Sequence, residues 1–216
     1  MKLLKRIFLA LVSLLLLALV VAAFVKSEFA VEREILIRKP RVEVFGYIKM
    51  VQNQNDYSVW NLRDPNSKRT YTGTDGKVGF VYSWESENKE VGMGEQEIKN
   101  LVEGERIDME LRFKKPFEST DQAYMTTTDA PEGKTLVKWG FSGEMNYPMN
   151  LMLLFMDMDK MLGSQLQEGL NNLKKILDSR LGGPGPFAPG SGRISFILQN
   201  IPGRQSVCLS SHEKRF

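Results

Sequence analysis

The chain has 216 residues but a single histidine and a single cysteine, His212 and Cys208, and both lie in its last nine residues. The rest of the chain therefore has no imidazole base, no thiol nucleophile and no disulfide. Ser-His-Asp and Cys-His catalysis are excluded there, and a metal site would have oxygen ligands only. Without a disulfide, stability must come from a packed core, which about 150 residues can supply.

The sequence also lacks a strongly basic region. Lysine and arginine total 29, aspartate and glutamate total 26, and the formal net charge is +3. Residues 26–180 hold 22 basic and 25 acidic side chains, since seven of the basic residues and one of the acidic residues lie outside them. A nucleic-acid-binding protein needs a basic face that displaces counterions from phosphates. The sequence therefore argues against a nucleic-acid partner.

One long apolar run is present, near the amino terminus. Ile7–Val25 has one polar residue, Ser13, and at about 1.5 Å per helical residue it reaches about 28 Å, close to the thickness of the hydrocarbon core. We predict a single transmembrane anchor in residues 1–26. The basic residues that precede the run predict a cytoplasmic amino terminus and an extracytoplasmic domain.

A cleaved signal peptide is the alternative for this run. Val21–Ala23 ends in small residues that could serve as a cleavage site. Hydrophobic regions of signal peptides are about 7 to 15 residues long, and this run is longer. Both interpretations place the remainder of the protein outside the cytoplasm.

Alternating apolar and polar residues predict seven β-strands between residues 27 and 145. Pro40–Met50 predicts a short helix after the first strand, and Tyr57 and Trp60 are expected to anchor the turn-rich segment that follows it. Short connections between the strands predict an antiparallel meander. The predicted strands are Phe29–Arg38, Lys68–Thr74, Lys77–Ser86, Glu90–Leu101, Glu105–Phe113, Glu118–Thr128 and Lys134–Met145.

Three of these strands have one face made of large apolar side chains, so the sheet needs a cover on that side. The segment Leu151–Leu177 predicts one amphipathic helix that supplies it. Gly169 lies at the centre of the helix stripe, which indicates either close packing on the sheet or space for a ligand. The strand faces are Phe80, Tyr82, Trp84; Ile107, Met109, Leu111, Phe113; and Val137, Trp139, Phe141. The helix stripe includes Leu151, Leu154, Phe155, Met158, Met161, Leu162, Leu166, Leu173, Ile176 and Leu177.

Several motifs in this order resemble one known family. VYSWE (residues 81–85), FKKPFEST (113–120), LFMDMDKMLG (154–163) and GLNNLK (169–174) follow a strand, a helix that opens PRVEVF, and a tryptophan-containing loop. Over residues 1–179 the chain is similar to the START-like SRPBCC superfamily, in its membrane-anchored bacterial polyketide cyclase-like branch. The resemblance implies an α+β helix-grip fold, in which a curved antiparallel sheet wraps around a long C-terminal helix and encloses a hydrophobic cavity.

The resemblance implies a domain in residues 27–179 that binds an apolar small molecule, a lipid or a polyketide-like compound. A cyclase or dehydratase-like enzyme and a protein-interaction module remain alternatives, because only some family members are enzymes and no catalytic residue can be carried over. No cofactor is expected. The predicted ligand-binding residues, from the strand and helix faces, are Phe80, Tyr82, Trp84, Met109, Trp139, Phe141, Met158, Asp159, Leu162, Leu166 and Gly169.

Asp159 and the Glu95–Glu97 pair are the acidic candidates. Asp159, at the edge of the helix stripe, would be a proton donor if it were partly buried, or it would pair with Arg33 on the first strand, and the pair is the favoured interpretation. Glu95 and Glu97 are expected to be solvated charges on an edge strand rather than a catalytic carboxylate pair. Gly92 and Gly94, which precede this pair in the sequence, predict a bulge or a bend in the sheet.

The last segment, residues 180–216, departs from the family pattern. It begins with a stretch rich in glycine, proline and serine and has no clear hydrophobic period. We predict a linker-like, disordered tail that contributes nothing to the fold.

Overall fold

Residues 2–179 are described by a computed structural model and contain one seven-stranded sheet in which every neighbouring pair is antiparallel. The predicted tail, 180–216, lies outside the described residues. The α+β helix-grip architecture is confirmed. The strands are β1 Glu28–Ile37, β2 Lys68–Thr72, β3 Val81–Glu85, β4 Met93–Val102, β5 Arg106–Lys115, β6 Ser119–Ala130 and β7 Lys134–Glu144.

The strand order is β1-β7-β6-β5-β4-β3-β2. The predicted meander is thus found from β2 to β7, whereas β1 pairs with β7 and not with β2, with Val31 opposite Phe141. The chain between β1 and β2 is mainly helical, which allows it to cross from one edge of the sheet to the other. A register shift in β4 at Met93/Gly94 confirms the bulge predicted at the glycines, and a second shift lies at Ile98/Asn100.

Five α-helices accompany the sheet within residues 2–179. The first is apolar, the next three are short and lie between β1 and β2, and the last follows β7. A segment of 3-10 helix, Met149–Leu154, precedes the last helix. The helices are α1 Lys2–Ala22, α2 Arg41–Ile48, α3 Gln54–Tyr57, α4 Val59–Arg63 and α5 Met158–Ser179.

The long helix begins at Met158, not at Leu151 as predicted. The reason is Asp157, whose Oδ1 accepts a hydrogen bond from the backbone N–H of Lys160 at 3.0 Å and thereby caps the helix. The side chains of Leu154 and Phe155 are exposed, and so is that of Met161 in the first turn. Their predicted place on the buried stripe was therefore wrong. Leu154 and Phe155 precede α5, so its period does not apply to them, and Met161 lies in the first turn of α5, before the first buried residue of that helix, Gly163.

The core lies between the sheet, α5 and the short helices. From α5, Leu166, Leu170, Leu173 and Leu177 are buried in it. Tyr57, at the end of α3, is completely buried, which fits its predicted role as an anchor of the turn-rich segment. The other large buried side chains include Ile37, Phe45, Ile48, Phe80, Ile98, Ile107, Met109 and Met125.

Helix α1 is long and apolar enough to cross a membrane, and a signal sequence near the amino terminus can meet the same criteria of length and composition. Its side chains are exposed or half-buried until Ala22, which is buried. The amide nitrogen of Asn150 donates to the carbonyl oxygens of Ala22 at 2.7 Å and Val25 at 2.9 Å. These bonds satisfy carbonyl groups that the end of a helix leaves free, and they attach the 3-10 segment to the end of α1.

Candidate functional site

A cavity of about 250 Å³ lies between the inner faces of β3 to β7, the short helices α3 and α4, and α5. Most of the side chains that line it are aromatic or aliphatic. The cavity lining includes seven of the predicted site residues: Tyr82, Trp84, Met109, Trp139, Phe141, Leu162 and Leu166. The further apolar lining residues are Trp60, Val91, Leu111, Phe113, Pro116 and Ala123.

Aromatic side chains form two walls of the cavity. Trp84 packs edge-on against Phe113 with ring centroids 5.8 Å apart, and its indole N–H donates to the Val91 carbonyl at 3.1 Å. On the opposite side, Trp139 packs edge-on against Trp60 at 6.2 Å. Because each indole has a neighbour that fixes its orientation, the walls are preformed.

The exposed rim of the cavity lining lies at the β3–β4 connection and at the end of β5. Lys89 and Glu90 come from this connection, Lys115 is the last residue of β5, Pro116 follows it, and all four are exposed. Glu90 pairs with Arg63 at 3.3 Å. Among the lining residues in the described part of the chain, the charged side chains are confined to this rim.

Four of the predicted site residues do not line the cavity. Phe80 is buried in the core and stacks on Tyr71 at 6.3 Å. Met158 faces a separate hollow beside Phe24 and Phe29. Asp159 points away from the cavity. Gly169 is covered by the Trp139 indole, so the open volume predicted around this glycine is wrong and the close-packing alternative is correct.

Asp159 forms the predicted pair with Arg33. The guanidinium group donates to both carboxylate oxygens, at 2.7 and 2.9 Å, and to the Asp159 backbone carbonyl at 3.0 Å. The hydrogen bonds from Arg33 lower the pKa of Asp159. This direction is opposite to the one that a proton donor needs, so the proton-donor alternative is wrong. Gly163 makes the approach possible, since a Cβ there would overlap the guanidinium group.

A cluster of uncharged polar groups lies within the apolar cavity. Gln54, Ser58 and Asn61 come from α3 and α4, and Tyr82 and Gln96 come from the inner faces of β3 and β4. Burial raises the pKa of Tyr82 to about 12, so its phenol is neutral.

Asn61 is held in place by a second set of contacts. Its amide nitrogen donates to the Tyr82 hydroxyl at 3.0 Å and to Asn55 Oδ1 at 2.8 Å. Arg69 donates to Asn55 Oδ1 at 2.9 Å and to the backbone carbonyl of Asn61 at 2.9 Å. The hydroxyl oxygen of Tyr82 therefore accepts a hydrogen bond from Asn61, and the hydroxyl proton does not point toward the Asn61 amide nitrogen.

The sequence-based site missed most of this polar cluster. Gln54, Ser58 and Asn61 lie in a segment whose turn-forming composition hid its inward-facing positions. Gln96 had a usable signal, because it alternates with Glu95 and Glu97 and shares the inner face of β4 with Ile98. Trp60 and Phe113 were identified as apolar but were not assigned to the site.

Glu95 and Glu97 lie on the outer face of β4, an interior strand, so the edge-strand prediction is wrong. Arg112 donates to Glu95 at 2.7 Å and to Glu97 at 2.8 Å, and it also pairs with Glu110. These hydrogen bonds lower the pKa values of Glu95 and Glu97. The carboxylates are held in an ion-pair network away from the cavity.

Among residues 2–179 no cluster of His, Cys, Asp or Glu could hold a metal ion. The arrangement that the cavity does present consists of apolar walls, a neutral polar cluster and a charged rim. Such a site can bind and orient an apolar molecule.

Comparison with known proteins gives structural matches only. No protein-family model and no curated protein match the sequence. The crystal structure of Mll3558 from Rhizobium loti is 14% identical with a TM-score of 0.50, and the match covers 68% of this chain and 96% of that one.

Two further structures are similar. The solution structure of the Aha1 dimer from Colwellia psychrerythraea is 12% identical with a TM-score of 0.48, covering 71% of this chain and 99% of that one. The structure of CV1439 from Chromobacterium violaceum is 13% identical with a TM-score of 0.49, covering 69% and 96%. At the identity of the Mll3558 match, the similarity shows a shared fold and nothing about activity.

Proposed function

We propose that this protein binds an apolar small molecule, a lipid or a polyketide-like compound, in the cavity between its sheet and α5. The observation that carries the proposal is the cavity of about 250 Å³ with Trp60, Trp84, Phe113, Trp139 and Phe141 in its lining. Apolar pockets with a few oriented polar groups are the usual sites of small-ligand binding. Burial of the ligand's apolar surface would supply the affinity, at about 25 cal/mol per Å² before the costs of association.

We further propose that residues 1–26 tether the domain, residues 27–179, to a membrane and that the domain is extracytoplasmic. The proposal rests on the length and apolarity of α1 and on Lys2, Lys5 and Arg6 before it. These features agree with the resemblance to the membrane-anchored branch of the SRPBCC superfamily. A reporter that is active only in the cytoplasm should be inactive when fused after Ser179, and an active fusion would contradict this topology.

Ligand binding can be tested on the full chain extracted from membranes in detergent. Native mass spectrometry should detect a bound small molecule on the wild-type protein. Ala123→Leu adds side-chain volume at the cavity lining and should abolish this extra mass. Ala30→Leu is the matched control, because Ala30 is an exposed alanine on the edge strand β1 that does not line the cavity, so the same change there leaves the cavity unaltered.

The two alternatives give different results in the same experiment. A cyclase or dehydratase would convert an added substrate, and Tyr82→Phe, which removes one cavity hydroxyl, would reduce the conversion. An interaction module would carry no extra mass and would bind no apolar probe. Loss of the bound mass in both alanine variants would contradict the cavity as its location.

A further inference from the structure

Two buried amides in the cavity have no oxygen or nitrogen partner among residues 2–179. The exposed fractions of Gln54 and Gln96 are 4% and 6%. The Nε2 of Gln96 lies 2.8 Å from the Met109 sulfur, and that of Gln54 lies 3.8 Å from the same atom. A thioether sulfur is a weak acceptor, so neither amide replaces the hydrogen bonds that it had with water.

The Tyr82 hydroxyl belongs to the same cluster. It accepts a hydrogen bond from Asn61, which leaves its own O–H available as a donor. Buried polar groups are normally satisfied, so amides whose only protein partner is a thioether sulfur need an explanation. The cavity thus offers amide and phenol donors, together with amide acceptors, within an apolar surface.

We infer that the ligand carries an uncharged oxygen group, a hydroxyl or a carbonyl, and that this group lies between Gln54, Gln96 and Tyr82. The inference rests on the proposed binding function and names the chemistry of the ligand. An ionised group is disfavoured at this position because the cluster contains no charged side chain. The charged residues of the described lining, Lys89, Glu90 and Lys115, are all on the rim.

The protein's three tryptophans, Trp60, Trp84 and Trp139, all line the cavity, so their fluorescence reports its occupancy. The full chain in detergent is titrated with acetylnaphthalene, with ethylnaphthalene, which has a methylene in place of the carbonyl, and with naphthoate. Comparison of variants in the same detergent cancels the partition of each probe into micelles.

The wild-type protein should bind acetylnaphthalene about tenfold more tightly than ethylnaphthalene, because only the ketone satisfies the amides. The double variant Gln54→Leu/Gln96→Leu should bind the two probes equally. Tyr82→Phe removes one donor and no carbon atom, so it should reduce the preference even if the double variant does not fold.

Three outcomes would overturn the inference. They are equal binding of the two probes by the wild type, an unchanged preference in both variants, and tightest binding of naphthoate. Equal binding would leave the proposed function intact, since the cavity would still be occupied. If no probe changed the tryptophan fluorescence, the proposed function would fail together with the inference.

A second surface, independent of the cavity, lies beside the end of α1. It consists of exposed apolar side chains before, within and after the 3-10 segment, together with Phe24. Phe155 is 84% exposed and Phe24 is 87% exposed, values that are unusual for side chains of this size. We call this set the apolar collar, and its members are Phe24, Tyr147, Met149, Met152, Leu154 and Phe155.

The apolar collar is fixed relative to the end of α1 by Asn150. This side chain is buried, and its two hydrogen bonds reach the carbonyls of Ala22 and Val25, where α1 ends. If α1 crosses a bilayer, the level at which its helix ends is the membrane interface. The apolar collar then lies at that level, where apolar and aromatic side chains are stabilised.

We infer that the apolar collar enters the same bilayer leaflet in which α1 ends, so that the domain rests on the membrane surface. This inference depends on the proposed tether and not on ligand binding. The partner is the lipid of that bilayer, because the collar is continuous with the lipid-spanning helix.

Depth-dependent quenching tests this placement in the full chain with Cys208→Ser. An environment-sensitive dye is attached at Phe155→Cys, at Leu14→Cys within α1, or at Val42→Cys, an exposed apolar position on α2. The protein is reconstituted in vesicles of phosphatidylcholine and phosphatidylglycerol that contain nitroxide-labelled phosphatidylcholine.

The dyes at positions 155 and 14 should be quenched severalfold more than the dye at position 42. Equal quenching at 155 and 42 would overturn the inference. Absence of quenching at position 14 would overturn it together with the tether, while the fluorescence titration above would still report on ligand binding.

Discussion

The indole of Trp139 lies against Gly169. A Cβ atom on Gly169 would be 2.8 Å from Cζ3 of Trp139 and 3.5 Å from the Tyr57 carbonyl oxygen. The indole also packs edge-on against Tyr57 at 5.7 Å and Trp60 at 6.2 Å, so it cannot move aside freely. The glycine therefore lets α5 approach the sheet closely, and it sets the position of one cavity wall.

Gly169→Ala should destabilise the protein by about 1 kcal/mol. Alanine is favoured over glycine in a helix by about 1 kcal/mol, but overpacking of a core costs about 1 to 3 kcal/mol. The matched control is Gly46→Ala in α2, where a Cβ meets nothing within 4 Å and the helix preference should be gained in full. Thermal unfolding of the full chain in detergent measures both. Equal stabilisation by the two changes would show that the Trp139 contact is not restrictive.

Much of the fold followed from local patterns in the sequence. Alternation and turn signals located all seven strands, although β2 has no buried residue, and alternation placed Tyr82, Trp84, Met109, Trp139 and Phe141 on one side of the sheet. The ion pair of Arg33 and Asp159 was predictable because a charge on an apolar strand face needs a partner.

Other features depend on contacts that no local pattern contains. The start of α5 is set by the Asp157 cap. The apolar run before it has a spacing that fits a helix, so periodicity alone predicted a start at Leu151. The space at Gly169 depends on the orientation of the Trp139 indole, which belongs to a different element of the fold. Gln54 enters the site only because α3 lies over the inner face of the sheet, which sequence alternation does not reveal.

Arg33→Met should raise the pKa of Asp159 toward its ordinary value, because the hydrogen bonds that lower it would be lost. In the wild type the stabilising effect of this carboxylate is present above the ordinary pKa of about 3.9, and it is lost as pH falls through the lower folded value. The side-chain carbon shifts of Asp159, followed by NMR against pH, give the midpoint directly. Lys138→Met is the control, since Lys138 pairs with Glu32 and Glu34. The same midpoint in all three proteins would contradict the prediction.

Arg112→Gln should reduce the free energy of unfolding by about 1 kcal/mol at neutral pH, because Glu95, Glu97 and Glu110 would lose their shared cation. The pKa values of Glu95 and Glu97 are lowered in the folded protein, so their contribution is present above pH of about 4.3 and is lost at lower pH. The difference between variant and wild type should therefore shrink in acid. Lys114→Gln, which removes only the pair with Glu95, should have a smaller effect. Denaturant unfolding at neutral and acidic pH measures both, and a difference that grows in acid would refute the account.

Asp121 should also contribute to the pH dependence of stability, in the direction opposite to that of Glu95 and Glu97. This side chain lies on the inner face of β6 with 6% exposure, and burial raises its pKa, although Ser119 donates a hydrogen bond to it at 2.9 Å. A raised folded pKa means that the folded state holds the proton more tightly. Stability therefore falls as pH rises from the ordinary value of about 3.9 through the folded value, and the cost persists at neutral pH.

Asp121→Asn removes the charge and keeps one oxygen, which can accept from Ser119 or from the backbone N–H of Glu144. The variant should melt about 2 to 4 °C higher than the wild type at neutral pH, the shift that about 1 kcal/mol produces in a domain of this size. The two melting curves should converge below pH of about 4, where the wild-type carboxyl is protonated. Asp129→Asn is the control, because Asp129 lies on the same strand, is exposed and loses only a surface ion pair with Arg41. A lower melting temperature for Asp121→Asn at neutral pH would contradict the prediction. It would mean that the hydrogen bonds of the ionised carboxylate stabilise the folded protein by more than its burial costs.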